Sequence, residues 1–261
     1  MKEILKGIKL MLSIIMTLII LFILAFLFIA PQKNPALENN GIGDISKNQY
    51  KLNNSSIIYG ANANSDIKDE IKNQLSREDV LKKAKEMTEV KWVPKYNLVD
   101  LKGHYIFIKG RTYYGIPYSM DSYQVSSSED FLKKIKDSKI LYGNDCSGFV
   151  SSVWRISRQT TLTLYNAVKK GTKVDNESIE QVSWEELKPG DALLRDNGKG
   201  EGHIMLFIGI DTKDKDKVIV YEQNVPTIIP FQPIPVVRTD TRSIGALKEQ
   251  GYFPIRLMSL T

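Results

Sequence analysis

A single cysteine in 261 residues rules out any disulfide within the chain. Only two histidines accompany it, His104 and His203, and no carboxylates stand at ligand spacing beside them. That is too few soft donors to suggest a zinc centre, so no metal is expected. No glycine-rich loop follows an apolar run, which leaves nucleotide binding and a nucleotide cofactor without support. Basic-aromatic clusters are also missing. The net charge of +6 is spread along the chain and suits anionic polymers or lipid head groups better than nucleic acid. There is no internal repeat.

What is present begins with an uncharged run from Leu10 to Ala30, preceded by Lys2, Lys6 and Lys9. A helix needs ~20 apolar residues to cross a bilayer, and basic flanks tend to stay in the cytoplasm. Residues 1–9 therefore read as a cytoplasmic end and 10–30 as a single transmembrane anchor. A cleaved signal peptide is the alternative, but the run exceeds a usual signal core and Ala30-Pro31-Gln32 is a poor cleavage site. Either reading exports the remainder. Residues 31–75 are rich in Asn, Ser, Gly and Lys and read as a flexible extracytoplasmic spacer. Residues 76–261 form the expected folded domain.

Within that domain Ser76 and Asp79 have the spacing of a helix cap and its N3 partner. Val80, Leu81, Ala84, Met87 and Val90 follow at helical spacing, and Trp92-Val93-Pro94 should end the helix. Ser126 to Glu129 open a second helix through Ile135, and a third starts near Cys146 and runs through Val153 and Trp154. Tyr105–Ile108 and Tyr113–Tyr118 are short strands or a packed loop. Asp191–Leu194, His203–Ile208 and Lys217–Glu222 are β-type runs separated by Gly, Asp and Lys turns. Helices followed by consecutive strands predict an α+β domain with an antiparallel sheet.

The ordinary fate of a free cysteine is to be a small buried hydrophobe. Cys146, however, opens a helix, where unpaired N–H groups and the helix dipole favour the thiolate, the reactive form of the side chain. Small neighbours Ser147 and Gly148 would let a carbonyl approach, and a nearby N–H could hold an oxyanion. A nucleophile needs a base, and His203, at the head of an apolar strand after Gly200-Glu201-Gly202, is the better placed histidine. His104 reads as a surface or packing residue. The base in turn needs an orienting acceptor. Glu222 is the first choice and Asn224 the second, since a hairpin between the two strands would bring that end beside His203. Gln223 should face the other way. Leu187–Asp191 reads as a structural turn into the strand that leads to His203.

Three ordered segments carry a family resemblance: Asp145-Cys146-Ser147-Gly148-Phe149-Val150, Leu187-Lys188-Pro189-Gly190-Asp191, and Gly202-His203 with its apolar strand. Together they resemble the NlpC/P60 peptidoglycan peptidases, while Glu222-Gln223-Asn224 looks more like the related CHAP amidases. The resemblance spans about residues 110–224. It implies a papain-like fold and hydrolysis of a peptide or amide bond in cell-wall peptidoglycan through a thioester on Cys146. It also implies substrate-binding roles for Tyr118, Asp145 and Ser147. Two departures stand out: a longer stretch between Tyr118 and Cys146, and a glutamate at the third catalytic position, where NlpC/P60 enzymes commonly carry a histidine. The expectation is thus a membrane-anchored cysteine peptidase or amidase facing the wall, with peptidoglycan as its partner. An acyltransferase would share the acyl-enzyme step, and a non-catalytic wall-binding module is the other alternative.

Overall fold

The computed structural model describes residues 74–100, 105–120, 124–224 and 234–261. The expected span at 10–30, most of the expected spacer and His104 lie outside the described residues. Among those described, no helix is long and apolar enough to cross a membrane.

The first helix, α1 (Arg77–Glu89), begins as its sequence predicts. Ser76 accepts from the Asp79 N–H while the Asp79 carboxylate reaches back to the Ser76 N–H, closing a capping box. Val80, Ala84 and Met87 form its buried stripe, and the chain leaves the helix at Val90. The aromatic region that follows folds into four two-residue strands: β1 (Lys91–Trp92), β2 (Leu98–Val99), β3 (Ile106–Phe107) and β4 (Tyr113–Tyr114). β1 pairs antiparallel with β4, and β2 with β3. Trp92 ties the two pairs together, with ring centroids 5.3 Å from Phe107 and 5.2 Å from Tyr113.

Helix α2 (Ser128–Ile135), capped by Ser127, lies within the long stretch between Tyr118 and Cys146. That stretch is integral to the core, because Phe131 is fully buried edge-on to Trp92 at 5.2 Å. Phe131→Ala should therefore destabilise the domain by about 3–5 kcal/mol, read from the midpoint of denaturant unfolding. A loss below about 1 kcal/mol would mean that α2 is a surface appendage.

Two more helices follow, α3 (Cys146–Val153) and α4 (Thr161–Lys170), then β5 (Ile179–Gln181), β6 (Ala192–Asp196), β7 (Gly202–Ile210), β8 (Lys217–Glu222), β9 (Arg238–Ser243), α5 (Ile244–Glu249) and β10 (Phe253–Leu257). The last six strands make one antiparallel sheet in the order β5-β10-β6-β7-β8-β9. The α+β class and the antiparallel sheet are as expected.

Apolar residues cover both faces of the sheet, because its central strands are buried on both sides. Ala192, Leu194, Ile204, Leu206 and Tyr221 belong to the large core, with Val80, Met87, Phe149, Val150 and Leu164 from α1, α3 and α4. Leu193, Met205, Phe207, Val218 and Val220 face a smaller cluster closed by Leu247 of α5 and by Tyr252. Successive side chains alternate between faces, as the pleat requires.

Candidate active site

Helix α3 owes its start to Asp145. This N-cap side chain accepts from the Gly148 N–H at 2.5 Å and from the Ser147 hydroxyl at 3.1 Å. Its other oxygen is paired with Arg158 at 2.5 Å. The cap and the Arg158 pair together thus occupy both oxygens of Asp145, the residue expected to touch substrate. A Cβ at Gly148 would displace the end of the Gln124 side chain and press on the capping oxygen of Asp145. Cys146 stands at the first helical position, and its own N–H meets no acceptor among the described residues. Cys146 is buried, 8% exposed.

Tyr118 reaches this point despite the long stretch that separates it from Cys146. Asn144 donates its N–H to Pro117 O and accepts from the Ser119 N–H, bridging Tyr118 to Asn144 in parallel register. Gly143 packs against the Pro117 backbone with no room for a Cβ. Gln223, buried, donates to the Ile116 and Pro117 carbonyls and fastens the same loop. The Tyr118 phenol is raised above its ordinary pKa, first by burial and then by the nearby Cys146 and Asp145 groups.

His203 comes from the other half of the domain. It lies near the start of β7, its side chain 12% exposed, with Nε2 3.5 Å from Glu222 Oε2. That separation is long for a hydrogen bond, and neither atom has another partner. Such contacts commonly tighten only when substrate is bound. Register explains the choice of acceptor. Met205 pairs with Glu222, so a continued ladder would set Asn224 opposite His203. β8 ends at Glu222, and its carboxylate reaches the imidazole from the diagonal position. Asn224 lies past the strand end and makes no side-chain hydrogen bond among the described residues. Gln223 faces away from His203, as the alternation of a strand demands.

Glu222 is fully buried, and two arginines hold it. Its Oε1 accepts from Arg238 at 2.5 Å and from Arg242 at 2.6 Å. Arg238 is the cross-strand partner of Glu222, and Arg242 lies on the same face of β9. Sequence reasoning missed both. The visible trace was the alternating run Arg238-Thr239-Asp240-Thr241-Arg242, which puts three charges on one face of a strand.

Burial alone would push Glu222 up, but His203 and the two guanidinium groups outweigh it and bring its pKa down to about 2. Burial would likewise push His203 down. The Cys146 side chain and the Glu222 carboxylate, both within interaction range, reverse this and raise it to about 9.

Cys146, His203 and Glu222 are thus brought together from α3, β7 and β8, with Tyr118 beside the thiol. No family model, curated protein or solved structure matches the chain. The site must be understood from its own geometry.

The arrangement can do nucleophilic chemistry. A thiol at a helix N-terminus, an imidazole next to it and a buried, charge-clamped carboxylate behind the imidazole supply nucleophile, base and orienter. Among the described residues no group of three or more His, Cys, Asp or Glu side chains converges as metal ligands would.

Proposed function

We propose that the protein is a cysteine peptidase or amidase that hydrolyses a peptide or amide bond of peptidoglycan, on a papain-like domain of the NlpC/P60 type. The observation that carries this reading is His203 set between the Cys146 thiol and a buried carboxylate. The nucleophile at the head of a packed helix and the base on an antiparallel strand suit a papain-like arrangement. The three ordered motifs of the sequence supply the substrate class. The uncharged run at 10–30 supports a membrane anchor with the domain on the outer side of the membrane.

The steps follow from the positions. With His203 Nε2 turned to Glu222, Nδ1 is the nitrogen left to take the Cys146 proton. The thiolate attacks the carbonyl carbon, and the Cys146 N–H supports the oxyanion. The C–N bond then breaks as the imidazolium returns its proton to the leaving amine, leaving a thioester on Cys146. Water attacks the thioester while His203 accepts one of its protons. The acid departs, and that proton restores the thiol. Glu222 holds the imidazole in one orientation and stabilises its charged form throughout.

The test is to incubate the full-length chain with purified peptidoglycan and to weigh the released fragments, beside Cys146→Ala and His203→Ala. Each cleavage should add one water, and both variants should release nothing. Acyl transfer to an amine would add no water and would overturn hydrolysis. The rate should fall as pH rises through about 9, because the imidazolium that protonates the leaving amine is lost there. Unchanged peptidoglycan, together with a Cys146 thiol no more reactive than free cysteine, would leave the wall-binding module as the better account.

A further inference from the structure

Helix α3 has a second face that borders a cavity. Gly148, Ser151, Ser152 and Arg155 recur at helical spacing on the side turned away from Cys146, and they border a cavity of about 490 Å³. Its other walls come from α1 and from the stretch that distinguishes this chain from the NlpC/P60 pattern, including Val125, Asp130 and Lys134. The volume falls within the range of ligand sites.

Four cations line this cavity: Lys83, Lys134, Arg155 and Arg158. Two are neutralised locally, Lys134 by Asp130 at 2.8 Å and Arg158 by Asp145 at 2.5 Å. The other two have no carboxylate within ion-pair distance among the described residues. Lys83 is half-buried and donates only to the Ser152 carbonyl, at 2.7 Å. Arg155 follows the helix end in the left-handed conformation, φ 55°, and lines the cavity as an exposed residue. The Lys83 ammonium is held below its ordinary pKa, first by burial and then by Arg155. Glu129 offsets only part of this, and Arg155 is exposed at the rim. Two cations without a direct ion pair thus share a concavity of ligand size, an arrangement that an oxyanion would relieve.

We propose that this cavity binds a carboxylate of an acidic wall peptide, on Lys83 and Arg155, remote from the bond that is cut. The inference rests on reading Cys146 as the nucleophile of a wall-peptide hydrolase. A helix is roughly 10 Å across, so the path round it is about 15 Å, a distance that about four to five extended residues span. The carboxylate bound here therefore belongs to a residue about four to five positions from the scissile bond. The Arg158–Asp145 pair connects the cavity wall to the residue preceding the nucleophile, so the two faces are coupled at the helix start.

The test uses the full-length chain and two synthetic muropeptides that differ only in having free or amidated side-chain carboxylates. For Lys83→Met and Arg155→Gln, KM for the free-carboxylate peptide should rise about tenfold with kcat within twofold, and Lys83→Arg should restore it. KM for the amidated peptide should be high in all forms and unmoved by the substitutions. The preference should also weaken with salt. Cleavage of both peptides with one KM in every variant would overturn the cavity and leave the hydrolase standing. If neither peptide is cut, calorimetry decides: Lys83-dependent binding of the free-carboxylate peptide retains the cavity without the hydrolase, and no binding overturns it. Inorganic phosphate displacing the peptide at concentrations where acetate does not would overturn the carboxylate in favour of a phosphate-bearing polymer.

Discussion

Exchange of Glu222 for alanine is expected to lower turnover roughly 10²–10⁴-fold and to destabilise the domain by about 3–5 kcal/mol. Both effects have one origin. The carboxylate is fully buried, with Oε2 facing His203 and Oε1 holding Arg238 and Arg242. Its removal leaves the imidazole without an orienter and two guanidinium groups without their main counter-charge, although Asp240 remains 3.1 Å from Arg242. Should Glu222→Ala fail to fold, Glu222→Gln keeps the shape and an acceptor while deleting the charge. Its stability deficit should depend on pH in a defined sense. The folded-state pKa of Glu222 is about 2, below the ordinary carboxylate value of roughly 4.3. The charge thus stabilises the fold fully above that ordinary value, and the contribution is lost as pH falls through about 2. Denaturant midpoints of the two proteins should converge over that window. Turnover of Glu222→Gln within twofold of the parent, with a constant stability gap, would remove Glu222 from the site.

The second large effect belongs to a residue that does no chemistry. Asp191→Ala should lower the unfolding midpoint by roughly 6–20 °C, corresponding to about 3–5 kcal/mol. Asp191 is fully buried at the head of β6. It accepts from the Lys188 N–H at 2.8 Å, from Arg77 of α1 at 2.8 Å, and from Arg256 of β10 at 2.8–3.2 Å. One carboxylate therefore joins the first helix, the turn into β6 and the penultimate strand of the sheet. Loss of one partner from such a network leaves buried charge uncompensated, which is why the cost is large. None of these groups touches His203, so turnover measured well below the midpoint should stay within about threefold. A midpoint unchanged within 2 °C, by roughly the same scale, would show that desolvation cancels the network. A loss of turnover at unchanged stability would move Asp191 into the site.

The helix starts at Ser76 and Ser127 and the apolar strands around His203 and Glu222 were legible because their signals are local. A cap and its N3 partner lie three residues apart, and a strand declares itself by runs and alternation. Helix α4 was not legible. Thr161-Leu162-Thr163-Leu164 has β-branched alternation, and the helix is held by the Thr160–Thr163 capping box and by Gly171 in the left-handed region. Strand β9 was missed because every other residue is charged, the opposite of a buried strand. It is tolerated because it lies at the sheet edge.

By itself the sequence singled out Cys146 as candidate nucleophile, His203 as candidate base and a short choice of orienters. One cysteine and two histidines leave few combinations, and each sits in a local setting that marks its chemistry. It also determined the α+β class, since the helices and strands that set it show short-range periodicity. Tertiary structure alone decided between Glu222 and Asn224, because the decision turns on where β8 stops relative to β7. It alone brought Tyr118 back to Cys146 across a long stretch and supplied Arg238, Arg242 and the basic cavity behind α3. Those placements depend on pairing and packing between segments far apart in the chain, where no local pattern records which residues will meet.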